Sequence, residues 1–217
     1  DSLSPQIWKS AGAMKMYNGE LYVKGRTWNG LINCIKKWDG SSWSSFGFNN
    51  TIFSGNQAVK AFEIYNGDLY AAGLFDSIDG VPAKNIAKWD GNFWSPVGSG
   101  IDSTVNYLTV CNGELYAAGA FTTVGGSPAN YVAKWNGISW SNVGSGLTNL
   151  PFGLTTLNGE VFIASQYGSA HVVKWDGFSW TPVGTMSSPD NNVTAICTYN
   201  GKLIIVGLFT FPSQNIA

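Results

Sequence analysis

Apolar and polar positions alternate along this chain in short runs, and each run is closed by a turn signal. Val105-Asn106-Tyr107-Leu108-Thr109-Val110 and Leu115-Tyr116-Ala117-Ala118-Gly119 flank Asn112-Gly113. Asn-Gly between alternating runs predicts a two-residue hairpin, because a type I′ turn needs positive φ at both central residues. The pattern recurs at Asn18, Asn66, Asn112, Asn158 and Asn200, at spacings of 48, 46, 46 and 42 residues. A second motif, Lys-Trp-Asp/Asn-Gly-x-x-Trp, interleaves with the first and begins at Lys37, Lys88, Lys134 and Lys174. It predicts another tight turn, between strands such as Asn85–Trp89 and Trp94–Gly98. A demand for positive φ would account for Asp39, Asp90 and Asp176 in these turns. No stretch has helical periodicity of useful length.

The two motifs define one unit of about four strands, A to D, repeated roughly five times, which predicts a single all-β domain over residues 1–217. The fold expected is a β-propeller of four-stranded antiparallel blades. Stacking blades around an axis covers both faces of every sheet, which suits strands that are apolar on both sides. Small residues such as Ala71-Ala72-Gly73 fit the crowded inner part of a blade, and the aromatics fill the wider outer part. The C-terminal Gln214–Ala217 aligns with Lys84–Ala87, inside a strand C. Trp8-Lys9-Ser10-Ala11-Gly12 matches the strand D pattern Trp-x-x-x-Gly seen at Trp94–Gly98. The N-terminus is therefore expected to supply the outer strand of the last of five blades. One spacing disagrees: five residues separate Gly12 from Asn18, against 13 between Gly98 and Asn112. The rival is part of a six- or seven-bladed ring.

Composition narrows the function. Charged residues make up 12% of the chain and the net charge is −1, so nucleic acid and anionic membranes are not the expected partners. The longest aliphatic run, Leu203–Val206, is far short of the ~20 residues of a membrane-spanning helix. Cys34, Cys111 and Cys197 are odd in number and widely spaced, so they are expected as buried small hydrophobes, although one pair could bridge. His171 is the only histidine and Arg26 the only arginine.

At this point the segment Asn112-Gly-Glu-Leu-Tyr-Ala-Ala-Gly, continuing through Thr123-Val-Gly-Gly and Val132-Ala-Lys-Trp-Asn-Gly137, resembles the kelch-like, galactose-oxidase-like propeller repeats of large secreted bacterial surface proteins. It is also similar to the repeats of fungal cortical polarity markers. The resemblance spans nearly the whole chain, but the double glycine after strand B occurs only as Gly125-Gly126. It implies a secreted or surface protein. Low charge with many Gly, Ser, Asn, Thr and Trp points the same way.

Enzyme chemistries fail by subtraction. A propeller sialidase needs three arginines, and a galactose-oxidase copper site needs two histidines. His171 falls on a repeat position held elsewhere by Cys34, Asn85, Tyr131 and Asn215, and no nucleophile motif lies near it. Glu20, Asp68, Glu114 and Glu160 each follow Asn-Gly in register. The acids out of register are Asp1, Glu63, Asp76, Asp79, Asp102 and Asp190. Asp76 and Asp79 could together serve Ca²⁺, although an ordinary turn explains them too. No cofactor, metal or catalytic residue is expected, and a carboxylate-based glycoside hydrolase or lyase is the distant alternative.

Binding is expected where the repeat breaks, after strand B. Unit one has Arg26-Thr27-Trp28-Asn29, unit two has Asp76 and Asp79, and unit four has Gln166 and Tyr167, with His171 close behind. A Trp or Tyr beside amides and carboxylates suits a sugar, whose apolar face stacks on the ring. The leading expectation is a non-enzymatic extracellular or surface propeller that binds a protein partner or serves as a structural module in a larger surface assembly. A lectin-like, glycan-binding propeller is the alternative.

Overall fold

The computed structural model describes residues 10–26, 33–46, 52–53, 57–167, 170–184 and 192–208. Within them the chain is all β and forms one main antiparallel sheet in each of the first four units, four-stranded in the second to fourth and joined in the first by a short fifth strand, Ile52–Phe53, paired with Asn33–Cys34, followed by a two-stranded hairpin in the fifth unit. The second unit shows the plan. Strand A is Ala58–Tyr65, B is Asp68–Leu74, C is Ile86–Trp89 and D is Trp94–Pro96. The third unit repeats it with Val105–Cys111, Glu114–Gly119, Val132–Trp135 and Trp140–Asn142. The A strands of successive sheets lie against one another, so A is innermost and D outermost, as in a β-propeller. Among the described residues no helix is long and apolar enough to cross a membrane.

Each expected turn forms, for two different reasons. The A–B turns are left-handed at both positions, for example Asn112 at φ 49° and Gly113 at 76°. The C–D turns differ from expectation. Only their glycines have positive φ, near 100°, while Asp39, Asp90 and Asp176 do not. These aspartates serve as acceptors instead. Asp90 Oδ1 accepts the backbone N–H groups of Asn92 and Phe93, both at 2.8 Å, and Asn136 does the same for Ile138 and Ser139 at 2.9 Å. An Asx turn replaces the backbone geometry inferred from the sequence.

These bonds hold the Asp39, Asp90 and Asp176 carboxyls below the usual carboxylate range, because backbone N–H donors stabilise the charged form. A depressed folded-state pKa gives stability that is present above the unfolded value, about 3.9, and is lost as pH falls through the folded value. The melting temperature is therefore expected to fall below about pH 4, and Asp90→Asn to remove part of that dependence while keeping the turn. Thermal melts of both proteins against pH check this, and an unchanged acid slope in the variant refutes it.

The expected radial arrangement also holds. Ala71, Ala72, Ala117 and Ala118 of the B strands are fully buried between sheets, and the tryptophan pairs sit outward on strands C and D. Each pair faces across the C–D hairpin, with ring centroids 5.4 to 5.6 Å apart. The Trp-x-x-x-Gly pattern is an inter-blade joint. A Cβ at Gly98 would lie 3.1 Å from Trp135 and 3.2 Å from Trp140 of the next sheet. There Trp140 Nε1 donates to Val97 O at 3.1 Å, and Trp180 Nε1 donates to Val143 O at 3.0 Å. The acid after each Asn-Gly meets the lysine of Lys-Trp, in Glu20–Lys37, Asp68–Lys88, Glu114–Lys134 and Glu160–Lys174, all within 2.9 Å. These half-exposed pairs fix register more than they stabilise.

The ends need two corrections. Ser10 and Ala11 belong to strand A of the first sheet, where they pair with Arg26 and Gly25. Strand A runs from Ser10 to Tyr17, so Ser10–Gly12 does not serve as an outer strand of the last blade; this is the short spacing noticed before Asn18. Trp8 and the C-terminal Gln214–Ala217 lie outside the described residues. All three cysteines are free, but only Cys34 and Cys111 are buried, while Cys197 is exposed on the fifth hairpin. Met14 and Met16 on the first sheet, and Tyr199, Ile204 and Val206 on the fifth hairpin, are exposed where the matching residues of inner sheets are covered by a neighbour.

Candidate functional site

In an antiparallel meander the A–B and C–D turns emerge at one end and the B–C and D–A connections at the other. The described binding residues inferred from the sequence therefore fall at the B–C end. Arg26 closes strand B of the first sheet and is exposed. Trp28 and Asn29 lie outside the described residues. Gln166 and Tyr167 end strand B of the fourth sheet, their side chains outside the description, and Tyr167 pairs with Ala170. His171 is half-buried at the start of strand C, a repeat position.

Asp76 and Asp79 belong to a small hairpin between strands B and C, Ser77–Ile78 paired with Val81–Pro82. Asp79-Gly80 is its turn, with φ of 52° and 81°, and Gly125-Gly126 occupies the same place in the third unit. The Asp76 carboxylate accepts from Gln57 Nε2 at 3.2 Å. No group of three or more metal-ligating side chains occurs among the described residues. A turn accounts for this pair of acids.

The structure adds a feature that the repeats hid. Between the second and third sheets, at the B–C end, lies a cleft of about 360 Å³ lined by Lys84, Ser99, Gly100, Asp102, Thr123 and the double glycine. Two clamps build it. Asn85 is buried, accepts from Phe75 N and donates to Ile101 O, both at 2.9 Å, tying the B–C hairpin to the D–A loop. Gly100 lets the loop pass, since a Cβ there would lie 2.8 Å from Lys84 O. The Asp102 carboxylate is then fixed by Thr122, with its N–H at 3.1 Å and its hydroxyl at 3.0 Å. Burial pushes the Asp102 carboxyl up, but hydrogen bonds from Thr123 and Thr122 outweigh it and hold the carboxyl below its ordinary value. The cleft thus offers a fixed carboxylate and a lysine stem on a rigid frame. Its one sequence signal was Asp102 standing outside the repeat register.

Comparison with known proteins fits the fold. Residues 112–136, from the A–B turn to the C–D turn of the third unit, match a family described as a β-propeller domain of unknown function, DUF5122. No curated protein matches the sequence. Among solved structures the chain is similar to YCF48 bound to D1 peptide, at 13% identity over 94% of this chain and 62% of that one, with a TM-score of 0.56. It thus spans less than two thirds of that chain. It is also similar to the β-propeller domain of the Trilobed protease from Pyrococcus furiosus, described as having an open velcro topology. There the identity is 9% over 94% of this chain and 71% of that one, with a TM-score of 0.56. At such identities the likeness shows the fold, a β-propeller.

Proposed function

We propose that the chain is a kelch-like propeller of the secreted bacterial kind, a non-enzymatic module that binds a protein partner outside the cell or on its surface, within a larger assembly. The observation that carries this reading is the contrast between the two ends. At the A–B and C–D end the units reuse the same turns and the same ion pairs. At the B–C end they differ, with Asp79-Gly80, Gly125-Gly126 and the short Tyr167-to-Ala170 connection in one structural place. Loops that vary on a fixed frame are where propellers carry function. The similar YCF48 structure holds a peptide, which supports a protein ligand.

Selection of a random peptide library on the immobilised chain tests the reading. Enriched peptides are expected to lose at least about tenfold in affinity on Asp102→Ala or Lys84→Ala, the scale of a lost interfacial hot spot. Asn136→Asp, at the other end, is expected to leave affinity unchanged. No enrichment, or binding insensitive to both B–C end variants, rejects the proposal. A glycan array run in parallel turns the assignment toward a lectin if a glycan binds and peptides do not.

A further inference from the structure

At the opposite end, the boundary between the first and second sheets encloses a cleft of about 320 Å³. Tyr17, Tyr22, Phe46 and Trp89 wall it, and Asn18, Glu20 and Lys37 also line it. The rings meet edge to face. Tyr22 and Phe46 are 4.7 Å apart at 90°, Phe46 and Trp89 4.8 Å apart at 75°, and Tyr17 and Tyr22 5.8 Å apart at 70°.

The aromatic lining is particular to this boundary. In register, the next boundary has Tyr65, Tyr70, Val97 and Trp135. The one after has Cys111, Tyr116, Val143 and Trp175. Aromatic walls thus fall from four to three to two, and Phe46 stands where other units have valine. The blades are also joined differently here. Tyr65 donates across to Gly113 O of the following sheet at 3.1 Å. Trp140 and Trp180 latch onto the preceding blade, but the buried Trp94 indole has no acceptor among the described residues.

Carboxylates of both sheets stand in or near this cleft. Glu20 takes Lys37 Nζ on both oxygens, at 2.8 and 3.0 Å, and accepts the Tyr22 hydroxyl at 3.1 Å. Asp68 is matched by Lys88. Asp90, in the turn after Trp89, accepts backbone N–H groups and has no ion pair among the described residues. Of these charged groups only Glu20 and Lys37 line the cleft, while the Asp68 and Asp90 carboxylates act on the Tyr17 hydroxyl in its wall. Burial, and then the Asp68 charge, push the Tyr17 hydroxyl up.

We propose that this cleft binds a quaternary or multiply methylated ammonium group. Such a cation is too weakly hydrated to resist desolvation, has no N–H that needs an acceptor, and is drawn to the negative faces of Trp, Tyr and Phe. The volume lies at the small end of the range for ligand sites and suits a headgroup-sized cation.

Choline is the probe, titrated by tryptophan fluorescence and by NMR. The control is its neutral isostere, in which a tert-butyl group replaces trimethylammonium. Saturable binding of choline, at least about tenfold tighter than the isostere, is expected, because only the cation gains from the ring quadrupoles. Phe46→Val, which installs the residue found in the other units, is expected to abolish binding with the fold retained. Asp90→Asn keeps the turn in the manner of Asn136 and is expected to weaken binding several-fold. Equal affinity for the isostere, no choline binding, or full binding by folded Phe46→Val overturns the proposal. A trimethyllysine peptide and glycerophosphocholine, compared under the same conditions, then tell a protein side chain from a lipid headgroup as the source of the cation.

Discussion

Gly119→Ala is expected to cost about 3 kcal/mol or more, more than any other single methyl group added to a turn or strand glycine of this sheet. Gly119 ends strand B opposite a bulge in strand A, where the register shifts between Val105 and Tyr107. A Cβ there would lie 2.1 Å from Thr104 O and 2.9 Å from Val105 Cα. Both are backbone atoms, and Thr104 O is held by the Ala120 N–H at 2.8 Å, so neither can yield easily. The φ of Gly119 is not in the left-handed region, so the cost is purely steric. Gly113→Ala provides the contrast. Its φ is 76°, with no atom within 4 Å of the added Cβ, so it bears only the backbone penalty of about 1 kcal/mol. Urea denaturation of the two variants gives the order, and a Gly113→Ala loss equal to or larger than that of Gly119→Ala refutes the argument. Gly73 repeats the geometry, with a Cβ position 2.0 Å from Ala58 O beside the bulge at Val59 and Ala61.

The same glycine shows what the sequence could and could not reveal. Ala-Ala-Gly marked a crowded place, and the crowding is real. The bulge that makes glycine necessary was not legible, because nothing in a run such as Val105-Asn106-Tyr107 marks where two residues oppose one. The fourth unit shows another solution. Ser165 replaces the glycine, is buried, and donates its hydroxyl to Asn149 O at 3.0 Å. Hairpins, strand order and the inward alanines were legible because each depends on residues close in sequence or on a strict period. The cleft at Asp102 and the aromatic boundary at Phe46 were not, since each joins residues of two sheets. What sequence does offer for such sites is departure from the repeat: Asp102 has no counterpart, and Phe46 stands in a column of valines.

Trp175→Ala is the second large effect expected, a loss of about 3 to 5 kcal/mol concentrated at the joint between the third and fourth sheets. The indole is buried, lies against Trp180 with centroids 5.4 Å apart at a tilt of 48°, and covers Gly144 of the preceding sheet. A Cβ at Gly144 would lie 2.7 Å from the Trp175 ring. Gly144→Ala alone therefore suffers twice, from this overlap and from its φ of 58°. In the Trp175→Ala background the overlap vanishes and only the φ penalty, about 1 kcal/mol, remains. The two substitutions are thus expected to be strongly non-additive, with the double variant more stable than the sum of the single losses implies. Trp180→Phe keeps a ring but gives up the bond to Val143 O, and is expected to cost about 1 kcal/mol. Because each blade contacts only its neighbours, hydrogen exchange in Trp175→Ala should rise first in residues 132–142 and 160–175 and last in the first sheet. Additive losses in the double variant, or exchange rising evenly over all sheets, would mean that the Trp–Gly contact is not the joint that holds neighbouring blades together.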